Sequence, residues 1–133
     1  MSQKNTIIFS DFARRAKEKI EEKKKRRPKK LRIEESGIEI TIRGISEQEL
    51  TECTEFSDDS LIADKYMIYM ACDDLHEPAS QLVSDGTIKH HYEICDMFTL
   101  ADRREIAQQI MRLSGMYAES TVKPVDEVEE TKN

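Results

Sequence analysis

Apolar and polar residues alternate with a period of two in the stretch after Pro28: Leu31 and Ile33 alternate with charge, Ser36-Gly37 offers a turn, and Ile38, Ile40 and Ile42 alternate with Glu39, Thr41 and Arg43. This period predicts a two-stranded hairpin. A lone hairpin is marginal in water, so its isoleucine face must pack on the helices that follow, with Ile40 and Ile42 against the helix carrying Met67 and Met70. Ser46-Glu47-Gln48-Glu49 is a capping box and predicts a helix from Glu47 to Phe56. Ser57-Asp58-Asp59 caps another, over about 60–72, whose Ile62, Tyr66, Met67, Tyr69 and Met70 make a broad apolar face at the centre of the core. Pro78 and Gly86 predict loops around a short helical turn at 78–83. Helical spacing returns at Ile88, His91, Ile94, Cys95 and Phe98, breaks near Thr99, and resumes at Ile106, Ile110 and Leu113, with Gly115 as the stop.

The two ends read differently. SDFARRAKEKIEEKKKRR predicts a helix capped by Ser10 or Asp11 and ended by Pro28, with a thin stripe of Phe9, Phe12, Ala16 and Ile20 that docks weakly or only with a partner present. AESTVKPVDEVEETKN is polar and acidic and predicts a disordered tail. The expected fold is mainly α with a small β-hairpin (α+β): a compact helical domain with a flexible N-terminal arm and a disordered C-terminal tail. Residues 1–30 form the helix and basic arm, 31–116 the hairpin and helical domain, and 117–133 the tail.

Charge sharpens this division. Residues 1–35 hold thirteen Lys/Arg against six Asp/Glu, a net of +7, and residues 36–133 hold eight against twenty-one, a net of −13. The run KKKRRPKK at 23–30 therefore belongs to an arm on a body that repels phosphate. It lacks the glycine-rich, aromatic or zinc-finger pattern that reads or stacks bases, so nucleic acid is not the expected partner. The residues expected to meet a protein partner are Phe9, Phe12, Lys23, Lys24, Lys25, Arg26 and Arg27. A small nucleic-acid-binding regulator using the basic arm is the competing reading.

No catalytic constellation emerges. The three cysteines, Cys53, Cys72 and Cys95, have no CxxC pairing and read as reduced, buried thiols. Cys72, His76, His90, His91 and Cys95 lack zinc-ligand spacing, and His90 and His91 read as a surface and a core-edge residue on one helix. Asp58-Asp59 and Asp73-Asp74 lie at helix boundaries, where capping explains them. With neither GxxxxGK[ST] nor GxGxxG, a phosphate loop is excluded. No enzyme activity, cofactor or metal is expected. The longest mostly apolar run, at 61–72, is too short to span a bilayer, and MSQKNTIIF lacks a signal-peptide pattern, so no membrane partner and a cytoplasmic location are expected.

The order and spacing of these elements resemble a known family. ITIRGISEQEL at 40–50 and IAQQIMRLSGM at 106–116 resemble a strand with its capped helix and the closing helix of the tail assembly chaperones of phages and prophages of Gram-positive bacteria, the XkdN-like family. ACDDLHEPASQLV at 71–83 is similar but departs from it, since Asp73-Asp74-Leu75 stands where the family has Pro-Asp-Leu. The resemblance spans roughly residues 9–116. It implies a non-enzymatic protein of the bacterial host cytoplasm, absent from the mature virion, that binds the tape measure protein, keeps it soluble and helps recruit tail tube subunits.

Overall fold

A computed structural model describes residues 2–24, 28–116 and 119–125, with side chains from Ser10 on. The protein is mainly helical with one antiparallel hairpin. Its elements are α1 (Ser2–Lys24), β1 (Lys29–Ile33), β2 (Ile38–Ile42), α2 (Glu47–Phe56), α3 (Ser60–Ala71), a 3-10 turn (Asp73–Leu75), α4 (His76–Ser84), a 3-10 segment (His91–Met97) and α5 (Leu100–Leu113).

The hairpin register pairs Lys29 with Ile42, Leu31 with Ile40 and Ile33 with Ile38, so the alternating apolar residues share one face. Gly37 closes the turn at φ 73°, donating its N–H to the Ile33 carbonyl at 2.7 Å. Ile40 and Ile42 are buried as the period of two required. The hairpin meets the C-terminal end of α3 and the turn beyond it, and Ile40 and Ile42 share one core cluster with Met67, against which Met70 packs. Arg43 donates its backbone N–H to the Ala71 carbonyl at 3.0 Å, and Thr41 donates its own to Asp74 Oδ2 at 2.8 Å. These bonds give partners to the Thr41 N–H of β2 and to the Arg43 N–H just beyond it.

α3 is the central element, flanked by α2, α5 and the 3-10 segment. Asp59 caps it by accepting from the Leu61 N–H, and it buries Met67, Ile68 and Ala71. Ile62, Tyr66, Tyr69 and Met70 are half-buried. The capping box of α2 forms as predicted, Ser46 Oγ accepting from the Glu49 N–H at 3.1 Å and Glu49 Oε1 from the Ser46 N–H at 3.0 Å. α5 starts at a Thr99 cap and buries Ile106, Ala107 and Ile110.

The link from β2 to α2 is clasped to the end of α5. Ile45 donates its N–H to Ser114 Oγ at 2.8 Å, and that hydroxyl donates to the Ile110 carbonyl at 2.7 Å. Gly44 lies so close that an added Cβ would sit 3.0 Å from the Leu113 carbonyl oxygen. A side chain is excluded there by backbone, which cannot yield cheaply.

Four expectations are corrected. α1 begins at Ser2, not at Ser10 or Asp11. Asp11 is a helix-interior residue whose carboxylate accepts from Arg14 at 2.6 Å and pairs with Arg15 at 3.0 Å, so it caps nothing. The helical turn expected at 78–83 is a full α4, because Pro78 falls in its first turn, where its missing N–H costs nothing. Of the stretch from Ile88 to Phe98, His91–Met97 is a 3-10 segment rather than an α-helix, held by bonds such as Glu93 N–H to the His90 carbonyl at 3.0 Å, and 88–90 is irregular. A three-residue repeat buries Ile94, Cys95 and Phe98 as well as an α-helical one does, so the apolar spacing could not separate the two. His91 is accordingly exposed rather than at the core edge, and His90 precedes the segment. Of the predicted tail, residues 119–125 run as exposed irregular chain, and 117, 118 and 126–133 lie outside the described residues.

Candidate partner-binding surfaces

The arm presents the first surface. Phe12 is 75% exposed and Ile20 55% exposed on α1, and Lys23 and Lys24 are exposed at its end. At 3.6 residues per turn, Phe12, Ala16 and Ile20 fall within an arc of about 80°. On the same projection Lys23 continues that stripe and Lys17, Lys19 and Lys24 flank it, while Asp11, Glu18, Glu21 and Glu22 fall on the far side. Arg14 bonds Asp11 and Glu18 there, at 2.6 and 3.0 Å. The side chain of Phe9, and Lys25, Arg26 and Arg27, lie outside the described residues. Ile20, Lys23 and Lys24 border a cleft of about 1170 Å³ shared with the Arg43–Glu49 link and Ser114–Met116.

A second surface was not anticipated. A cleft of about 530 Å³ opens between the turn end of the hairpin, α4 and the 3-10 segment. Ile38, Pro78, Leu82, Ile88 and Met97 form its apolar wall, and Glu39, Asp74, Glu93 and Asp96 its acidic rim. Ile38 and Met97 are 38% and 43% exposed, so the apolar wall continues onto the open surface. Its size falls in the range of binding clefts. The sequence signal was Ile38, which prolongs the isoleucine face past the point where α3 can cover it.

Around the rim, Glu39 pairs with Lys30 at 3.4 Å and Asp96 with Lys65. Asp74 accepts from the Thr41 N–H and Glu93 from the Lys89 N–H, at 2.8 and 3.0 Å. Neither of these two carboxylates has a cationic side-chain partner among the described residues.

The thiols are inert as nucleophiles. Burial pushes Cys53 and Cys72 up to about 11 and Cys95 up to about 12, far from the range of reactive thiolates. His76 Nε2 lies 2.8 Å from the Tyr69 carbonyl oxygen, and His90 stacks on Tyr92. Among the described residues no group of three His, Cys, Asp or Glu side chains is placed to hold a metal ion, and no helix is long and apolar enough to cross a membrane.

No protein-family model matches the chain, and no curated protein or solved structure matches it significantly.

Proposed function

We propose that this chain is a tail assembly chaperone that binds a tape measure protein in the cytoplasm of the bacterial host, keeps it soluble without catalysis, helps recruit tail tube subunits, and is left out of the finished tail. The observation that carries the reading is the unburied apolar stripe of α1, with Phe12 and Ile20 open to solvent and cations around them. A tape measure protein is a long helix with an apolar face exposed before assembly. A cation-flanked apolar helix pairs with such a face, its stripe covering the apolar residues and its lysines meeting acids alongside. The similarity of 40–50 and 106–116 to the chaperones supports the same reading.

Co-expression with a tape measure protein provides the test. The soluble fraction of the tape measure protein should rise with the wild-type chain and fall back when Lys23, Lys24, Lys25, Arg26 and Arg27 are neutralised. Equal solubility with and without the chain overturns the reading. Sequence-selective DNA binding at physiological salt would replace it with the regulator.

A further inference from the structure

The cleft bordered by Ile38, Leu82 and Met97 has an apolar wall under an acidic rim, and the chain carries a helix of the opposite design. We propose that α1 of one copy lies in this cleft of a second copy, with Phe12, Ala16 and Ile20 on the apolar wall and Lys17, Lys23 and Lys24 facing the acids. The inference does not depend on the identity of any client protein.

Charge complementarity selects this occupant. Asp74 and Glu93 hold only backbone N–H donors, and Lys17, Lys23 and Lys24 make no ion pair among the described residues. The acids of α1 would not oppose the rim. Asp11, Glu18 and Glu22 fall away from the stripe and are engaged by Arg14, Arg15 and Lys19. From Phe12 to Ile20 the stripe is about 12 Å long at 1.5 Å per residue.

The geometry favours exchange between copies over folding back. The arm joins the body at Lys29, which pairs with Ile42, whereas the cleft lies at the Ile38 end of the same strand, about 13 Å away at 3.3 Å per residue. The C-terminal end of α1 lies beside the Arg43–Glu49 link. Stripe and cleft are thus both open in one conformation. In a dimer with a two-fold axis each arm meets the other copy's cleft, so one contact is made twice.

Sedimentation equilibrium of the full chain over a range of concentrations tests this. The wild-type protein should show a monomer–dimer equilibrium that weakens with salt. Phe12→Glu with Ile20→Glu should raise the dissociation constant about tenfold or more, an effect of ~1.4 kcal/mol or above. Lys17→Glu with Lys24→Glu, and separately Glu93→Lys, should each weaken self-association. Mixing those two variants should restore a dimer, because the acidic arm then meets the basic cleft and the native arm meets the native cleft. The arm substitutions touch no core residue, so a thermal midpoint equal to that of the dilute, monomeric wild type separates lost association from lost folding. A wild-type chain that stays monomeric at every concentration overturns the proposal, including the case in which hydrogen exchange shows its α1 protected by its own body. A dimer indifferent to the arm substitutions overturns it equally.

Discussion

α1 and α5 are both amphipathic helices with apolar residues four apart, yet their stripes end in opposite environments. Ile110 of α5 is 0% exposed, whereas Ile20 of α1 is more than half exposed. The difference lies in what each helix meets. α5 lies against α3 and is held at its end by the Ile45–Ser114–Ile110 hydrogen bonds. α1 is separated from the body by a basic run and Pro28, and among the described residues its side-chain hydrogen bonds are exposed local pairs such as Arg14 with Glu18. Periodicity announces that a face exists and leaves open which surface covers it.

The largest test of that contrast removes one apolar side chain from each stripe. Ile110→Ala should cost about 2 to 5 kcal/mol, because a fully enclosed side chain leaves a cavity. Phe12→Ala in the dilute monomer should stay within about 0.5 kcal/mol. Urea denaturation of both variants reads the difference, and equal losses would mean that α1 is docked after all.

A smaller effect sharpens the comparison of ion pairs. Arg43 holds Glu49 down to about 2, first by direct hydrogen bonds at 3.0 and 2.8 Å, with the Ser46 N–H assisting against desolvation. Because the folded value is depressed below the ordinary 4.5, this carboxylate contributes stability above pH 4.5 that is lost as pH falls from there towards 2. Glu49→Gln keeps an acceptor for the capping box and removes the charge. It should cost about 1 kcal/mol at pH 7, allowing for the half-open setting, and nothing near pH 2. Reversing the exposed Arg14–Asp11 pair of α1 should change stability by less than that at either pH.

The smallest effect belongs to the tail. Ending the chain after residue 118 should leave the urea midpoint unchanged to within about 0.5 kcal/mol, since Val122 and Val125 are open to solvent. A larger shift would place the tail with α5 rather than with α1.

Most of the body was legible. The period of two between Leu31 and Ile42, the Ser46 capping box and the Ile106–Ile110 spacing each name one structure because cap chemistry or strict alternation has a single reading. The segment around Ile94 was misread because its apolar spacing suits two helix types and is decided by hydrogen bonds at its ends. The start of α1 was misread because Asp11, a good cap in isolation, found two arginines on its own helix. Beyond the Ile38 signal, the acidic rim of the cleft was not legible in the sequence, since Glu39, Asp74 and Glu93 converge only through the hairpin's docking on the turn after α3. Of the residues expected to meet a partner, Phe12, Lys23 and Lys24 proved open, which their polar surroundings had indicated.

The Ser114 clasp fixes an order of events during synthesis. Ile45 finds its acceptor sixty-nine residues further along the chain, and Gly44 is fitted to the Leu113 carbonyl. As the polypeptide emerges from its N-terminus, the hairpin and its link to α2 therefore exist before the helix end that clasps that link. Closure of the body waits for the last turn of α5, which makes the fold dependent on a contact of long sequence separation and sets the moment at which the buried Ile45 link is clasped.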